Sequence, residues 1–134
     1  MSVPKGERRT SEVAFLNTAR DLQIYSIQKC VSFPKRYTFY VSQPIANIAT
    51  RIHQYLKIGN SIYPTNTHEA QIRIDYFLKA KAEVYNLISQ IELATELFAI
   101  EPRVMEHWMK LVRAELNLVK PLIKSERERM KKLP

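Results

Sequence analysis

From Thr67 to Phe98 the chain contains neither glycine nor proline, and its apolar residues return every three or four positions. Ile74, Phe77, Val84, Leu87, Ile88, Ile91 and Phe98 therefore share one face of a helix, flanked by Leu78, Tyr85 and Leu97. Asn66 or Thr67 supplies a cap, and Glu69 places a negative charge in the first turn. At ~1.5 Å per residue such a helix is ~45 Å long. A rod of that length with an apolar face has to be covered, and the rest of the chain reads as helices that cover it.

A second helix follows from the stretch Phe33 to Ile62. Val41, Ile45, Ile48, Ile52, Tyr55, Leu56, Gly59 and Ile62 fall on one face at the same period. Phe33-Pro34 stops the helix before it and turns the chain back, because the residue preceding a proline is pushed out of helical backbone. Pro44 leaves two starting points: Ser42 as cap with Pro44 in the first turn, or a start near Thr38 with a bend at Pro44. Gly59-Asn60 and Tyr63-Pro64-Thr65-Asn66 end the helix and form the loop.

The first helix takes Thr10 or Ser11 as cap and Glu12 in its first turn, and ends near Val31 or Ser32. It shows two faces, one with Val13, Leu16, Arg20, Gln23, Ile27 and Cys30, the other with Phe15, Ala19, Leu22 and Ser26. Cys30 is expected to pack as a small hydrophobe. Glu101-Pro102 opens a fourth helix whose apolar line is Val104, Trp108, Leu111, Leu118 and Leu122, supported by Val112, Val119 and Ile123. Pro121 predicts a kink or an early end, followed by a charged tail. The expected fold is all-α, an up-down-up-down four-helix bundle, with a flexible basic arm at residues 1–10, the bundle at 11–124 and the tail at 125–134. Two glycines in 134 residues leave too few turn residues for a sandwich or a doubly wound sheet, and 46% apolar content argues against disorder. Apolar positions left over on the first and third helices predict self-association.

The sequence offers little for chemistry on substrates. It has no Glu-x-x-His pair, His-Glu-x-x-His, cysteine cluster, Gly-x-Ser-x-Gly, phosphate loop or dinucleotide fingerprint. His53, His68 and His107 read as surface or boundary residues. No enzyme, metal or cofactor is expected. The lack of an apolar leader or spanning segment, together with a single cysteine, predicts a cytoplasmic protein with no membrane partner.

Charge is the informative signal. The net charge is +8 and the isoelectric point near 9.7, which makes a polyanion the expected partner, nucleic acid ahead of an anionic membrane surface. On the fourth helix Arg103, Lys110, Arg113, Asn117, Lys120, Lys124, Arg127 and Lys131 follow one another by three, four or seven residues and form one stripe, with Glu106 the carboxylate beside its first half. Lys35 and Arg36 in the loop and Arg51 on the second helix complete the candidate nucleic-acid-binding set, and Lys57, Arg73, Lys79 and Lys81 add to the basic surface. Among seven tyrosines, Tyr37 and Tyr40 beside Lys35 and Arg36 are the candidates for base stacking.

Several stretches carry a resemblance to a known family. Phe33-Pro34-Lys35-Arg36-Tyr37, the VSQPIANIATRI segment after it, Leu87-Ile88-Ser89-Gln90-Ile91-Glu92-Leu93-Ala94 and Trp108 resemble the four-helix bundle family of the ribosomal-RNA intervening-sequence proteins. The likeness spans roughly Glu12 to Lys124. It is closest to the Avd branch, the accessory variability determinants of diversity-generating retroelements. Where the intervening-sequence branch tends to carry Asn-Ile-Ala-Glu-Gly, this chain has Asn47-Ile48-Ala49-Thr50-Arg51. The resemblance implies a barrel-like homopentamer with a basic surface and no catalytic residues. It also implies association with a reverse transcriptase and its template RNA, so that mutagenic cDNA can be made.

Overall fold

The computed structural model describes residues 13–134, which form four α-helices: α1 (Ala14–Val31), α2 (Gln43–Asn60), α3 (Thr67–Leu97) and α4 (Pro102–Met130). A short 3-10 turn (Lys35–Tyr37) and a π-helical turn (Thr38–Ser42) lead into α2, and no strand occurs among the described residues. The helices pack as a ring, α1 on α2, α2 on α3, α3 on α4 and α4 on α1. Contacts at the two ends agree with alternating helix direction. At one end Phe33, just past α1, packs its ring on Phe98 beyond α3 (4.8 Å) and on Trp108 in the second turn of α4 (6.1 Å). At the other, Arg73 in the second turn of α3 donates to Gly59 O at the end of α2 and to Glu126 near the end of α4. None of the described helices is long and apolar enough to cross a membrane.

Local chemistry explains where the elements begin. Asn66 caps α3 as expected: its Oδ1 accepts from the Glu69 amide at 2.9 Å, while Glu69 Oε1 accepts from the Thr65 amide and hydroxyl at 2.8 Å each. Those bonds hold the Glu69 carboxyl below its ordinary range. Around Pro44 the chain combines the two expected starts. A continuous α-helix from Thr38 would leave the Tyr40 carbonyl without its donor and crowd it with the proline ring. The chain instead passes through the wider π turn and begins regular α-helix at Gln43, so Pro44 sits in the first turn. Ser42 does not cap this helix; its backbone is already helical and its side chain makes no capping bond.

α2 ends at Asn60, as the Gly59-Asn60 pair predicts, but Gly59 itself does not make the turn. It lies inside α2 with negative φ and is fully covered, so it does not terminate the helix by a left-handed turn. Its role is space. A Cβ there would stand 2.7 and 2.9 Å from two carbons of the Phe77 ring and 3.3 Å from the Arg73 carbonyl.

The core selects among the apolar faces. On α1 it takes Phe15, Leu16, Ala19, Leu22, Ser26 and Cys30, whereas Arg20 and Ile27, expected on one inward line, are exposed. On α4 the buried line is Trp108, Val112, Glu115, Leu116, Val119, Ile123 and Glu126, so the residues read as supports are central. Leu111, Leu118 and Leu122 sit at its margin. The expected tail is a correction too: α4 continues through Pro121 to Met130. Pro121 and Asn117 are both exposed, so water can serve the Asn117 carbonyl that the missing proline N–H leaves open, and burial of Ile123 and Glu126 beyond it offsets the loss. The expected arm at residues 1–10 and the caps Thr10 and Ser11 lie outside the described residues.

Two substitutions test this packing. Phe33→Ala removes a ring that is 9% exposed and touches Phe98 and Trp108, and is expected to cost ~3 kcal/mol, whereas Lys35→Ala and Arg36→Ala, both exposed, leave the urea midpoint within error of wild type. Gly59→Ala should destabilise by about 1–3 kcal/mol in the same assay, because the Phe77 ring it strikes is itself fully buried. A neutral Gly59→Ala would show that the ring has room to shift.

Candidate nucleic-acid interface

The uninterrupted α4 carries most of the candidate residues. Its outward positions Arg103, Lys110, Arg113, Asn117, Lys120, Lys124, Arg127 and Lys131 are all exposed, and helical geometry gathers them within an arc of about 120° over about 42 Å. Because the helix does not break at Pro121, Lys124 and Arg127 continue the line of Lys110 and Arg113. Lys120 also leans over the Tyr85 ring of α3, 5.9 Å from its centroid.

Not every cation in the expected set is equally available. Arg51 forms an ion pair with Glu83 of α3, so it ties α2 to α3. Lys131 pairs with Glu128 at 3.2 Å, both largely exposed, and Glu128 lies on the same side of the helix as the stripe. Arg73 leaves the basic surface altogether. It is buried, donating to Gly59 O (2.9 Å), Ile62 O (3.0 Å) and Glu126 Oε1 (3.0 Å), with its guanidinium 4.9 Å from the Phe77 ring centroid. Lys79 is exposed and stands over the Tyr76 ring.

Lys35 and Arg36 are exposed at the bundle end where α1 hands over to α2. Of the two tyrosines beside them, Tyr37 is packed: its ring stacks on Phe98 at 5.3 Å and Arg36 covers it. Tyr40 is exposed, and so is Phe39, which the sequence reading passed over. The signal was present in the helical phase. Tyr37 is four residues before the buried Val41 and shares its inward direction, whereas Phe39 and Tyr40 do not.

A second overlooked signal is the spacing of carboxylates: between Asp21 and Glu69 the chain has none. All of α2 and the turns before it therefore lack acidic side chains of their own. His53 on α2 sits below its ordinary range, through desolvation and then the positive charges of Arg20 and Lys57.

The acids of α4 behave differently from its cations. Glu115 is fully buried, and neither carboxyl oxygen has a hydrogen-bond partner among the described residues. Burial, with the nearby negative charge of Asp21 as the lesser cause, pushes its acid up to about 9, so it is neutral at pH 7. Glu126 is buried in its pair with Arg73. Cys30, also buried, has its thiol pushed up to about 12 by desolvation, which leaves it un-ionised and unreactive as a nucleophile. No protein-family model, curated protein or solved structure matches the chain.

The neutral Glu115 gives a pH test. The folded chain keeps a proton that the unfolded chain releases near 4.5, so the stability associated with that proton is complete below 4.5 and declines as pH rises towards 9. Urea unfolding between pH 7 and pH 8 should lose about 1.4 kcal/mol in wild type. Glu115→Met should remove that dependence and raise stability at pH 8. An equal pH dependence in the variant would mean that Glu115 is ionised in the fold.

Proposed function

We propose that this chain is a non-catalytic, nucleic-acid-binding accessory protein that acts in the cytoplasm with a reverse transcriptase and its template RNA, as the likeness to the Avd branch implies. The observation that supports it best is the exposed cationic face of α4. Lysine and arginine side chains spaced along a rigid helix meet successive phosphates and release the counterions condensed there. A helix that sends Glu115 and Glu126 inward presents more positive charge outward than its sequence suggests. On this reading the protein positions RNA against the polymerase and performs no bond-making step itself.

Self-association belongs to the same reading. Ile24, Ile27 and Val31 on α1 and Ile72, Tyr85, Leu93 and Leu97 on α3 are exposed apolar residues that a single bundle does not cover. They support a homo-oligomer, and the resemblance implies a homopentamer. A protein-only scaffold is the rival reading, and these same residues favour it.

Binding across a salt series separates the two. Replacing Lys110, Arg113, Lys120 and Lys124 together by Gln should weaken binding to single-stranded RNA and flatten the log-affinity against log-salt slope by about 0.7 for each lost phosphate contact. Circular dichroism and native mass should stay as in wild type. An unchanged slope would make the stripe a solvated face and leave the scaffold reading standing.

A further inference from the structure

Phe39 and Tyr40 are 79% and 75% exposed, side by side on the π turn that opens α2. Large rings left in water at adjacent positions form an apolar patch in need of an occupant. They are also firmly mounted. Tyr37 on one side is stacked on Phe98, Val41 and Ser42 on the other are buried, and Thr38 Oγ1 bonds the Lys35 carbonyl at 2.8 Å. With both flanks pinned, the two rings are held outward.

Two exposed cations precede the rings on the same short segment, Lys35 and Arg36, the latter with its guanidinium 5.2 Å from the Tyr37 ring centroid. No carboxylate occurs in the chain between Asp21 and Glu69. Two exposed rings on a segment that also exposes Lys35 and Arg36 match a strand of unpaired nucleotides, whose bases stack on the rings while its phosphates meet the cations. A duplex keeps its bases stacked on one another and offers no face to such a surface. A second copy placed on the patch by a twofold axis would bring Lys35 and Arg36 against their own counterparts, like charge on like charge.

We infer that Phe39 and Tyr40, with Lys35 and Arg36, form a stacking platform for unpaired bases of a single-stranded RNA, an inference that rests on the nucleic-acid reading above. The platform selects single strands, while the α4 stripe holds phosphate charge irrespective of strandedness.

The test is fluorescence anisotropy with a labelled single-stranded RNA of mixed sequence and with its duplex, each over a salt series. Phe39→Ala with Tyr40→Ala should weaken single-strand binding by about ten-fold or more and leave duplex binding nearly unchanged. The salt slope should hold, since stacking releases no counterions. Phe39→Trp should retain affinity, and its fluorescence should be quenched by the single strand. Because both side chains are exposed, the urea midpoint of the alanine variant should match wild type. Unchanged single-strand affinity, or an equal loss for the duplex, would overturn the platform while RNA binding itself stood. A changed native mass with RNA binding intact would make the patch a contact between copies. Wild-type chain that binds neither RNA would overturn the platform and the nucleic-acid reading together.

Discussion

A buried guanidinium sets the terms for one end of this bundle. Arg73 is almost wholly withdrawn from water, and a charge in that position has to be paired and hydrogen-bonded or it costs several kcal/mol. The bundle supplies the last carbonyls of α2 and its loop, Gly59 O and Ile62 O, and the Glu126 carboxylate from α4. Phe77 lies beneath the guanidinium, and its ring occupies the volume that Gly59 leaves open. One side chain thus joins three helices. The requirement reaches along α4, because Glu126 can meet Arg73 only if the helix is still wound there, one turn and more beyond Pro121.

That constraint bears on the candidate interface. Keeping α4 helical to Met130 keeps Lys124 and Arg127 in phase with Lys110 and Arg113, so the cations make one continuous face. It also disposes of negative charge. Glu126 pairs with Arg73, and Glu115 is neutralised by desolvation in the core. Glu115 therefore adds no negative charge to the outer face of α4, while Glu126 divides its charge between Arg73 and the exposed Arg129. Glu106 and Glu128 remain exposed, the second paired with Lys131.

The opposite end is organised by aromatic packing. Phe33, Phe98, Tyr37 and Trp108 form a cluster across three helix termini, and the Trp108 indole N–H is satisfied by Ser26 Oγ at 2.9 Å in the α1–α4 contact. This cluster fixes the direction of the chain as it leaves Pro34. The π turn that makes room for Pro44 then decides which of the following rings face inward, and it leaves Phe39 and Tyr40 outside with Lys35 and Arg36.

What the sequence determined by itself is what depends on neighbours along the chain: helix period, the Asn66 cap with Glu69 in the first turn, proline at the start of α4, and the cationic stripe, whose members all ride on one helix. Around Lys35 the sequence picked out Tyr37 and Tyr40, of which only Tyr40 is exposed, and it passed over Phe39. Only the tertiary structure could decide matters that depend on residues far apart in sequence. Arg73 looked like surface charge until Glu126 and two carbonyls reached it, and Arg51 looked free until α3 brought Glu83 beside it. Gly59-Asn60 marked the end of α2, but the close contact of Gly59 with Phe77 is invisible locally; an early end at Pro121 was open because the burial that carries α4 past it lies against other helices. Burial and pairing are properties of the packed ring of four helices, and a single helical period leaves their outcome open.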